Sequence, residues 1–161
     1  MLNSYTMNSS KVKIFDHLES KLVNNQEMKL PLLVSEGKVV ENWIDYNNHM
    51  NMAYYVQCFE ESSDYILELL NLGHRYAVEE KKGIFVITCK INYRKEIALN
   101  ENFKIYANKI FIKGKKLILD LSMLNEKEDI VADYNILNLN VDLISKKSCS
   151  FSNHTLNVLS N

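Results

Sequence analysis

The longest regular pattern of apolar residues in this chain has helical spacing. Residues 53–72 contain no glycine or proline, and their large apolar side chains recur at three- and four-residue intervals. This spacing places them on one broad stripe and predicts an amphipathic helix that buries it. The stripe consists of Tyr55, Val56, Phe59, Ile66, Leu69 and Leu70. Gly73 follows the last apolar position, where a left-handed residue would end the helix.

The second half of the chain has the composition and the two-residue period of strands. Four strands are predicted there, at residues 84–93, 103–111, 117–124 and 130–141. Turns are predicted at residues 113–115 and 126–129. One predicted strand alternates as Phe103, Ile105, Ala107, Lys109 and Phe111, and the last alternates late as Leu137, Leu139 and Val141. Before the helix, residues 37–43 predict a short strand centred on Val39 and Val40.

The order of elements is therefore one strand, one long helix and four strands joined by short turns. Sequential antiparallel strands pair with their neighbours, and a single amphipathic helix must bury its stripe against their common face. The prediction is an α+β fold in which a long central helix is wrapped by a curved antiparallel sheet. One helix leaves edge strands open, so a homodimer or a dimer of dimers is expected.

One domain is predicted at residues 36–152, with an N-terminal extension at residues 1–35 and a C-terminal tail at residues 153–161. A chain of 161 residues has the size of one ordinary domain, and an apolar fraction of 47 % suffices for a core. Within the extension, residues 11–23 carry apolar side chains at helical spacing and predict a short amphipathic helix. These side chains are Ile14, Leu18 and Leu22.

Charge and cysteine content narrow the class of protein. The formal net charge is −1, which gives no electrostatic reason to expect nucleic acid or an anionic membrane as partner. No apolar run is long enough to span a bilayer, and the polar N-terminus does not resemble a signal peptide. The three cysteines, Cys58, Cys89 and Cys149, form no metal-type pairs and suit a reducing compartment. A cytoplasmic protein is expected.

Polar residues are crowded between the predicted short strand and the predicted long helix. They are Asp45, Asn47, Asn48, His49 and Asn51. A helix start presents free backbone N–H groups and the positive end of its dipole, which stabilise the oxyanion formed when a carbonyl is attacked. A carboxylate held a few residues upstream can act as general base on water or as nucleophile. Asp45 is therefore the candidate carboxylate of an acyl-transfer site.

The same residues also fit a structural interpretation. Asn and Asp are common in turns, and Asn51 is a good helix N-cap by itself. Asn48 can occupy a left-handed backbone position. Residue chemistry alone therefore leaves catalysis and a capping-and-turn role both open.

Residues 43–51, with the sequence Trp-Ile-Asp-Tyr-Asn-Asn-His-Met-Asn, resemble the signature of the hydroxybenzoyl-CoA thioesterase-like hotdog superfamily. The likeness is strongest to betainyl-CoA thioesterases and extends through residues 93–96 to residues 140–143. Plant acyl-carrier-protein thioesterases are similar over less of the chain, in the spacing of Asp45, Asn47 and His49 and in residues 93–94. The resemblance implies a hotdog fold and hydrolysis of a thioester.

The resemblance also implies roles for residues of the motif. Asp45 falls on the catalytic acid of the superfamily, and Asn47 and His49 fall on the polar pair that the plant enzymes use beside it. The backbone amide near Met52 falls where the thioester carbonyl is bound. The substrate-binding residues implied in this way are Asn48, Asn51, Met52 and Tyr55.

Three positions depart from the related patterns. Asn48 replaces the usual glycine, and asparagine tolerates the left-handed geometry that the turn needs. Asn92 stands where the plant enzymes have a further glutamate, which weakens the analogy with their full set of catalytic residues. Thr88 stands where betainyl-CoA relatives have a glutamate on a strand, and betainyl-CoA itself becomes a weaker prediction because a quaternary ammonium favours a carboxylate or an aromatic cage.

The predicted function is hydrolysis of an acyl-CoA to a free acid and coenzyme A. No cofactor is expected, and no metal, because the motif offers one histidine and one carboxylate without further ligands at suitable spacing. The alternatives are an acyl-carrier-protein thioesterase, which a basic docking face would favour, and a non-catalytic acyl-CoA-binding protein. The helix carboxylates Glu60, Glu61 and Asp64 are interpreted as surface charge, since Asp45 already fills the role of base.

Overall fold

One antiparallel sheet dominates the computed structural model, which describes residues 13–14 and 30–152. The strands among these residues are β1 Lys13–Ile14, β2 Leu32–Lys38, β3 Lys82–Tyr93, β4 Asn102–Lys113, β5 Lys116–Asn125, β6 Ile130–Asp142 and β7 Lys147–Ser148. These seven strands pair in the order β1-β2-β4-β5-β6-β3, and β7 pairs with the end of β6. The helices are α1 Met52–Leu69 and α2 His74–Glu79. The four predicted strands of the second half are thus confirmed, each within two residues at either end.

Helix α1 confirms the predicted amphipathic helix and lies along the buried face of the sheet. The side chain of Asn51 caps its start by accepting a hydrogen bond from the Ala53 amide at 3.0 Å. Its buried stripe includes Phe59 and Ile66, which are no more than 1 % exposed. Burial of a side chain of this size contributes about 1.5–3 kcal/mol. The stripe therefore holds the helix against the sheet.

The end of α1 corrects the prediction that Gly73 is its left-handed cap. Asn71 has that conformation, with φ of 56°, and Leu72 donates its amide to the carbonyl of Leu67 at 2.8 Å. This is a Schellman ending in which asparagine takes the usual place of glycine. The early turn buries Leu72, which is 3 % exposed. Gly73 instead precedes α2, with φ of −88°.

The strand predicted at residues 37–43 is wrong in its position, because the first long strand, β2, lies earlier in the chain. β2 ends at Lys38, and Glu41–Trp43 forms a turn of 3-10 helix. The apolar pair at positions 39 and 40 was misleading because Val39 is fully buried as it leaves the sheet. β2 begins at Leu32, inside the segment assigned to the N-terminal extension.

The pairing of β2 with β4 brings Gly37 opposite Phe103. A β-carbon on Gly37 would lie 2.5 Å from the tip of the Phe103 ring. Glycine is therefore needed here for the close approach of a fully packed aromatic side chain.

At Lys13 and Ile14 the predicted helix of residues 11–23 is wrong. These two residues pair with Glu36 and Ser35 as an edge strand. The other residues of that predicted helix lie outside the described part of the chain.

Strand β4 corrects the predicted alternation through Phe111. A β-bulge between Ala107 and Lys109 inserts Asn108, which has no opposite residue in the register with β5. The extra residue exchanges the two faces of the strand, so Ile110 packs against the core and Phe111 is 43 % exposed. The predicted alternation of buried and exposed residues along β4 therefore holds only as far as Ala107.

Strand β6 buries Asn138 and Asn140 on the face opposite to the alternating Leu137 and Leu139. Asn140 is fully buried, whereas Leu137 and Leu139 lie half-buried on the opposite face. The Asn140 side chain accepts a hydrogen bond from the Tyr76 hydroxyl at 2.9 Å and donates one to the Ser150 carbonyl at 3.3 Å. Phe151, 3 % exposed, donates its amide to the carbonyl of Gly114 at 2.9 Å. Asn140 thus ties α2 and the segment after β7 to the end of β6.

Strand β3 lies at the sheet edge and pairs with β6 alone among the described strands. Phe85, Val86 and Ile87 at its middle are 48 %, 49 % and 51 % exposed. Within the described ranges, the open edge expected from the order of elements is present, and it is apolar. In the described part of the chain no helix combines the length and apolar character needed to cross a membrane.

Candidate active site

The predicted site loop is a tight turn closed by its own backbone. Ile44 and Met50 form an isolated antiparallel bridge. Inside it, the Asp45 amide donates to the His49 carbonyl at 3.2 Å, and the Asn48 amide donates to the Asp45 carbonyl at 3.1 Å. Asn48 has a φ of 65°, the left-handed conformation that asparagine tolerates. The departure from glycine at this position is therefore compatible with the turn.

The Asp45 carboxylate is half-buried and is oriented through both of its oxygens. Oδ1 accepts the Asn47 amide at 2.8 Å, and Oδ2 lies 3.5 Å from the Asn51 amide nitrogen Nδ2. The second contact is at the long limit of a hydrogen bond. Oδ2 therefore keeps acceptor capacity for a water molecule or a substrate group.

Asn51 joins this carboxylate to the start of α1. Its own amide donates to the Trp43 carbonyl at 2.9 Å, and it accepts the amides of Ala53 and Tyr54 at 3.0 Å each. Within the described part of the chain, the Met52 amide is the donor of the first turn that keeps no such partner. The Met52 residue is 62 % exposed. The Met52 amide thus lies one residue after Asn51, whose side chain contacts Asp45.

Two of the predicted catalytic side chains do not contact the carboxylate. The Asn47 side chain is exposed, and only its backbone amide binds Asp45. The half-buried His49 ring has its Nδ1 3.4 Å from the Met50 carbonyl. Among the described hydrogen bonds, neither side chain reaches Asp45. Both residues belong to the turn that carries Asp45.

Two tyrosines form the wall beside the helix start. Tyr55 is 3 % exposed, and its ring lies edge-on to that of Tyr93 at 5.3 Å. The Tyr93 hydroxyl donates to the Met52 carbonyl at 3.3 Å. Burial raises the pKa of Tyr55 to about 12, so the phenol is neutral at physiological pH. Tyr93 was missed as a site residue, although it belongs to the stretch that carried the family resemblance.

The Asn92 side chain binds a neighbouring ion pair. Its Nδ2 donates to Asp133 at 3.3 Å, and Arg94 holds the same carboxylate through two bonds of 2.8 Å and 3.0 Å. The Arg94 hydrogen bond holds the pKa of Asp133 below its usual range. Among the described hydrogen bonds, the Asn92 side chain therefore binds Asp133 and not Asp45.

Solved structures define the class of fold. A protein from Staphylococcus aureus, determined in complex with CoA, superposes with a TM-score of 0.71 at 19 % identity, over 78 % of this chain and 79 % of that chain. A 1,4-dihydroxy-2-naphthoyl-CoA thioesterase from Synechocystis superposes with a TM-score of 0.68 at 11 % identity, over 78 % and 93 % of the two chains. The curled sheet with one main helix is the hotdog fold, as the resemblance implied.

The family follows from the sequence. Residues 39–159 match the model of the thioesterase-like superfamily, and the chain belongs to that superfamily. An L-carnitine dehydrogenase/betainyl-CoA thioesterase of Ruegeria pomeroyi is 23 % identical over 128 residues, which is 80 % of this chain and 26 % of that protein. A betainyl-CoA thioesterase of Pseudomonas aeruginosa is 26 % identical over 70 residues, 44 % of each chain. The chain thus spans about a quarter of the first relative and less than half of the second.

Proposed function

We propose that this protein hydrolyses acyl-CoA thioesters and that Asp45 is its catalytic carboxylate. The observation that carries the proposal is the link made by Asn51, which contacts Asp45 with one end of its side chain and caps α1 with the other. One side chain thereby joins the Asp45 carboxylate to the start of α1, where the Met52 amide lies. Membership of the thioesterase-like superfamily supports the same chemistry.

In the proposed reaction, the thioester carbonyl oxygen accepts a hydrogen bond from the Met52 amide. Asp45 then takes a proton from water as the water oxygen attacks the carbonyl carbon, or attacks that carbon itself. Collapse of the tetrahedral intermediate breaks the C–S bond, and the thiolate leaves as coenzyme A after taking up a proton. The helix dipole stabilises the negative charge that develops on the carbonyl oxygen. Asn51 orients the carboxylate, while Asn47, Asn48 and His49 on the turn contact the substrate or the water.

The experiment is a thiol-release assay on a panel of acyl-CoA esters, with Asp45→Asn beside the wild type. Removal of the base is expected to lower the rate by about two to four orders of magnitude. Asp64→Asn, a matched carboxylate change on an exposed turn of α1, is the control and is expected to retain activity. Equal rates for wild type and Asp45→Asn would refute the mechanism. Binding of CoA esters without any hydrolysis would favour the non-catalytic alternative.

Base and nucleophile are separated by a single turnover in ¹⁸O-labelled water. If Asp45 acts as base, the labelled oxygen appears in the released acid in the first turnover. If Asp45 attacks, water that opens the resulting anhydride at the aspartyl carbon labels Asp45 instead. Betainyl-CoA belongs in the panel because two relatives carry that activity in their names.

We also infer that the functional unit is a dimer joined along β3. Among the described residues, no strand pairs with the outer edge of β3, whose apolar middle exposes Phe85, Val86 and Ile87. Pairing with a second copy would cover these side chains and remove the open edge. Sedimentation at micromolar concentration tests this inference, and a monomer would contradict it.

One observation bears on the acyl-carrier-protein alternative. Seven lysines lie on the turns and the adjoining strand ends at one end of the sheet, where Lys115 contacts Ser148 at 2.8 Å. They are Lys81, Lys82, Lys113, Lys115, Lys116, Lys146 and Lys147. Along β3 this end lies about 35 Å from Tyr93, so an acidic carrier protein bound there does not serve Asp45 of the same protomer. The test compares the hydrolysis rates of an acyl-CoA and of the matching acyl-carrier-protein ester at low and high salt. A preference for the carrier ester that weakens at high salt would favour the alternative.

A further inference from the structure

The positive charge of this chain is concentrated at one end of the sheet. The net charge of −1 averages over an uneven distribution. The segments at residues 79–82, 113–116 and 142–147 contain seven lysines and three carboxylates, an excess of four positive charges. The rest of the chain therefore carries a net charge of −5, with the histidines counted as neutral. We call these three segments the basic end.

Strand pairing and hydrogen bonds bring the three segments together. Lys82 and Lys147 lie opposite Asp142, on the two sides of β6. Strand β7 therefore continues the line of β5, and the Nζ atom of Lys115 contacts the Ser148 hydroxyl at 2.8 Å. Six of the seven lysines are exposed, and Lys82 is half-buried. The basic end is thus one continuous charged surface.

The turn between β6 and β7 exposes an apolar side chain among these lysines. Asp142 Oδ1 accepts the amides of Ile144 and Ser145 at 3.1 Å and 2.6 Å. The Leu143 amide donates to the Lys81 carbonyl at 2.8 Å. These hydrogen bonds fix the turn beside Lys81, and Ile144 on this turn is 77 % exposed. Ile144 therefore projects from the basic end and takes no part in the core.

Two more apolar side chains border the basic end. Val78 is 52 % exposed and lies three residues before Lys81, and Phe111 is 43 % exposed and lies two residues before Lys113. Lys113 also lies directly opposite Lys116 in the register of β4 and β5, and like charges in such positions destabilise a sheet. An anionic partner would relieve this repulsion. The partner that matches both features has negative charge at its surface and an apolar layer beneath.

We propose that the basic end docks on a membrane whose surface carries anionic phospholipids. Its lysines bind the lipid phosphates, and Ile144 enters the boundary between head groups and acyl chains. An acidic protein or a nucleic acid would balance the charge, but neither explains an apolar residue on the turn that carries Lys146 and Lys147. Docking is compatible with the dimer joined along β3, because β5, β7 and their turns lie across β6 from the free edge of β3.

The test is flotation of the full chain with vesicles of phosphatidylcholine alone or of phosphatidylcholine with about one third phosphatidylglycerol. Wild-type protein is expected to float with the anionic vesicles at about 0.1 M salt and to stay behind with the neutral ones. Near 1 M salt, where the screening length falls to about 3 Å, it is expected to be released. Equal binding to the two kinds of vesicle would overturn the proposal.

A charge variant and a matched control locate the surface. Each lysine near an anionic membrane strengthens binding about fivefold, so the triple change of three basic-end lysines to glutamine is expected to weaken binding about a hundredfold. The changes are Lys115→Gln, Lys116→Gln and Lys147→Gln. The control removes the same charge from exposed lysines at the opposite end of the sheet and is expected to bind like wild type. Its changes are Lys38→Gln, Lys104→Gln and Lys127→Gln.

Ile144→Ser separates a membrane from other anionic partners. Loss of an inserted isoleucine is expected to weaken binding to anionic vesicles about five- to tenfold. Ile130→Ser, at an isoleucine that is 45 % exposed at the opposite end of the sheet, is the control and is expected to bind like wild type. Unchanged vesicle binding in Ile144→Ser, with loss in the lysine variant, would overturn the membrane as partner and favour an acidic protein or a nucleic acid.

The thiol-release assay without vesicles separates docking from catalysis. The lysine variant is expected to hydrolyse CoA esters with the kcat/KM of wild type, because the basic end lies far from Asp45 along the same protomer. Vesicle binding does not depend on hydrolysis, so it supports the proposal even if Asp45→Asn proves as active as wild type. Unchanged vesicle binding in the lysine variant would overturn the proposal, and a lower kcat/KM in that case would assign the lysines to the phosphates of the substrate.

Discussion

Asn51 offers a way to separate the stability of α1 from the orientation of Asp45. Its Oδ1 caps the helix through the Ala53 amide at 3.0 Å, and its Nδ2 lies 3.5 Å from Asp45 Oδ2. Asn51→Ala removes both contacts, whereas Asn51→Ser keeps a good capping oxygen and removes the donor to Asp45. Both variants therefore lose the contact with the Asp45 carboxylate, but only Asn51→Ala also loses the helix cap.

The magnitudes follow from the two contacts. Loss of an N-cap costs about 1 kcal/mol, which lowers the Tm of a domain of this size by about 2–4 °C. The contact with Asp45 is long, so its loss is expected to cost about 0.5–1.5 kcal/mol at most, or about two- to tenfold in kcat/KM. Asn51→Ala is expected to show both effects, and Asn51→Ser only the second.

Thermal unfolding and the thiol-release assay measure the two effects on the same samples. Wild-type kcat/KM in Asn51→Ser would show that the contact with Asp45 has no catalytic role. An unchanged Tm in Asn51→Ala would show that the cap does not hold the start of α1. Either result would refute the argument that one side chain couples the helix to the site.

Two further predictions concern stability. Gly37→Ala places a β-carbon 2.5 Å from the Phe103 ring and is expected to destabilise the fold by about 1–3 kcal/mol, measured as a lower urea midpoint; an unchanged midpoint would show that the ring moves aside freely. The pKa of Asp133 is lowered mainly by its hydrogen bond with Arg94, so the pair stabilises the fold above the ordinary aspartate pKa of about 4 and loses that effect as the pH falls further. Asp133→Asn is therefore expected to lower the urea midpoint at pH 7 and to have little effect near pH 2, and an equal effect at both pH values would contradict this assignment.

Features governed by local periodicity could be predicted from the sequence. The stripe of α1 follows from the spacing of Phe59 and Ile66, because a helix exposes the same face every three to four residues. Strand positions followed from two-residue alternation in the same way. Their faces did not, because the bulge at Asn108 shifts the alternation and nothing in the side chain of Asn108 marks an unpaired residue.

Features governed by contacts distant in sequence could not be predicted. Val39 resembles a strand residue because it is apolar, but it is buried where the chain leaves the sheet. Tyr93 meets Met52 across 41 residues, and Glu60 meets Tyr134 across 74. The loop around Asp45 was more accessible to prediction because its hydrogen bonds span few residues, as between Asp45 and Asn51.

The buried Asn140 holds the segment that follows β7 in place. Residues 149–151 have no regular secondary structure, yet Cys149 donates its amide to the Asn140 carbonyl at 2.9 Å and Ser150 accepts from the Asn140 side chain. Detachment of this segment would leave a fully buried amide without an acceptor and would empty the site of Phe151. The segment thus fastens the turn at Gly114 to β6. Its amide hydrogens should therefore exchange as slowly as those of the strands that it crosses.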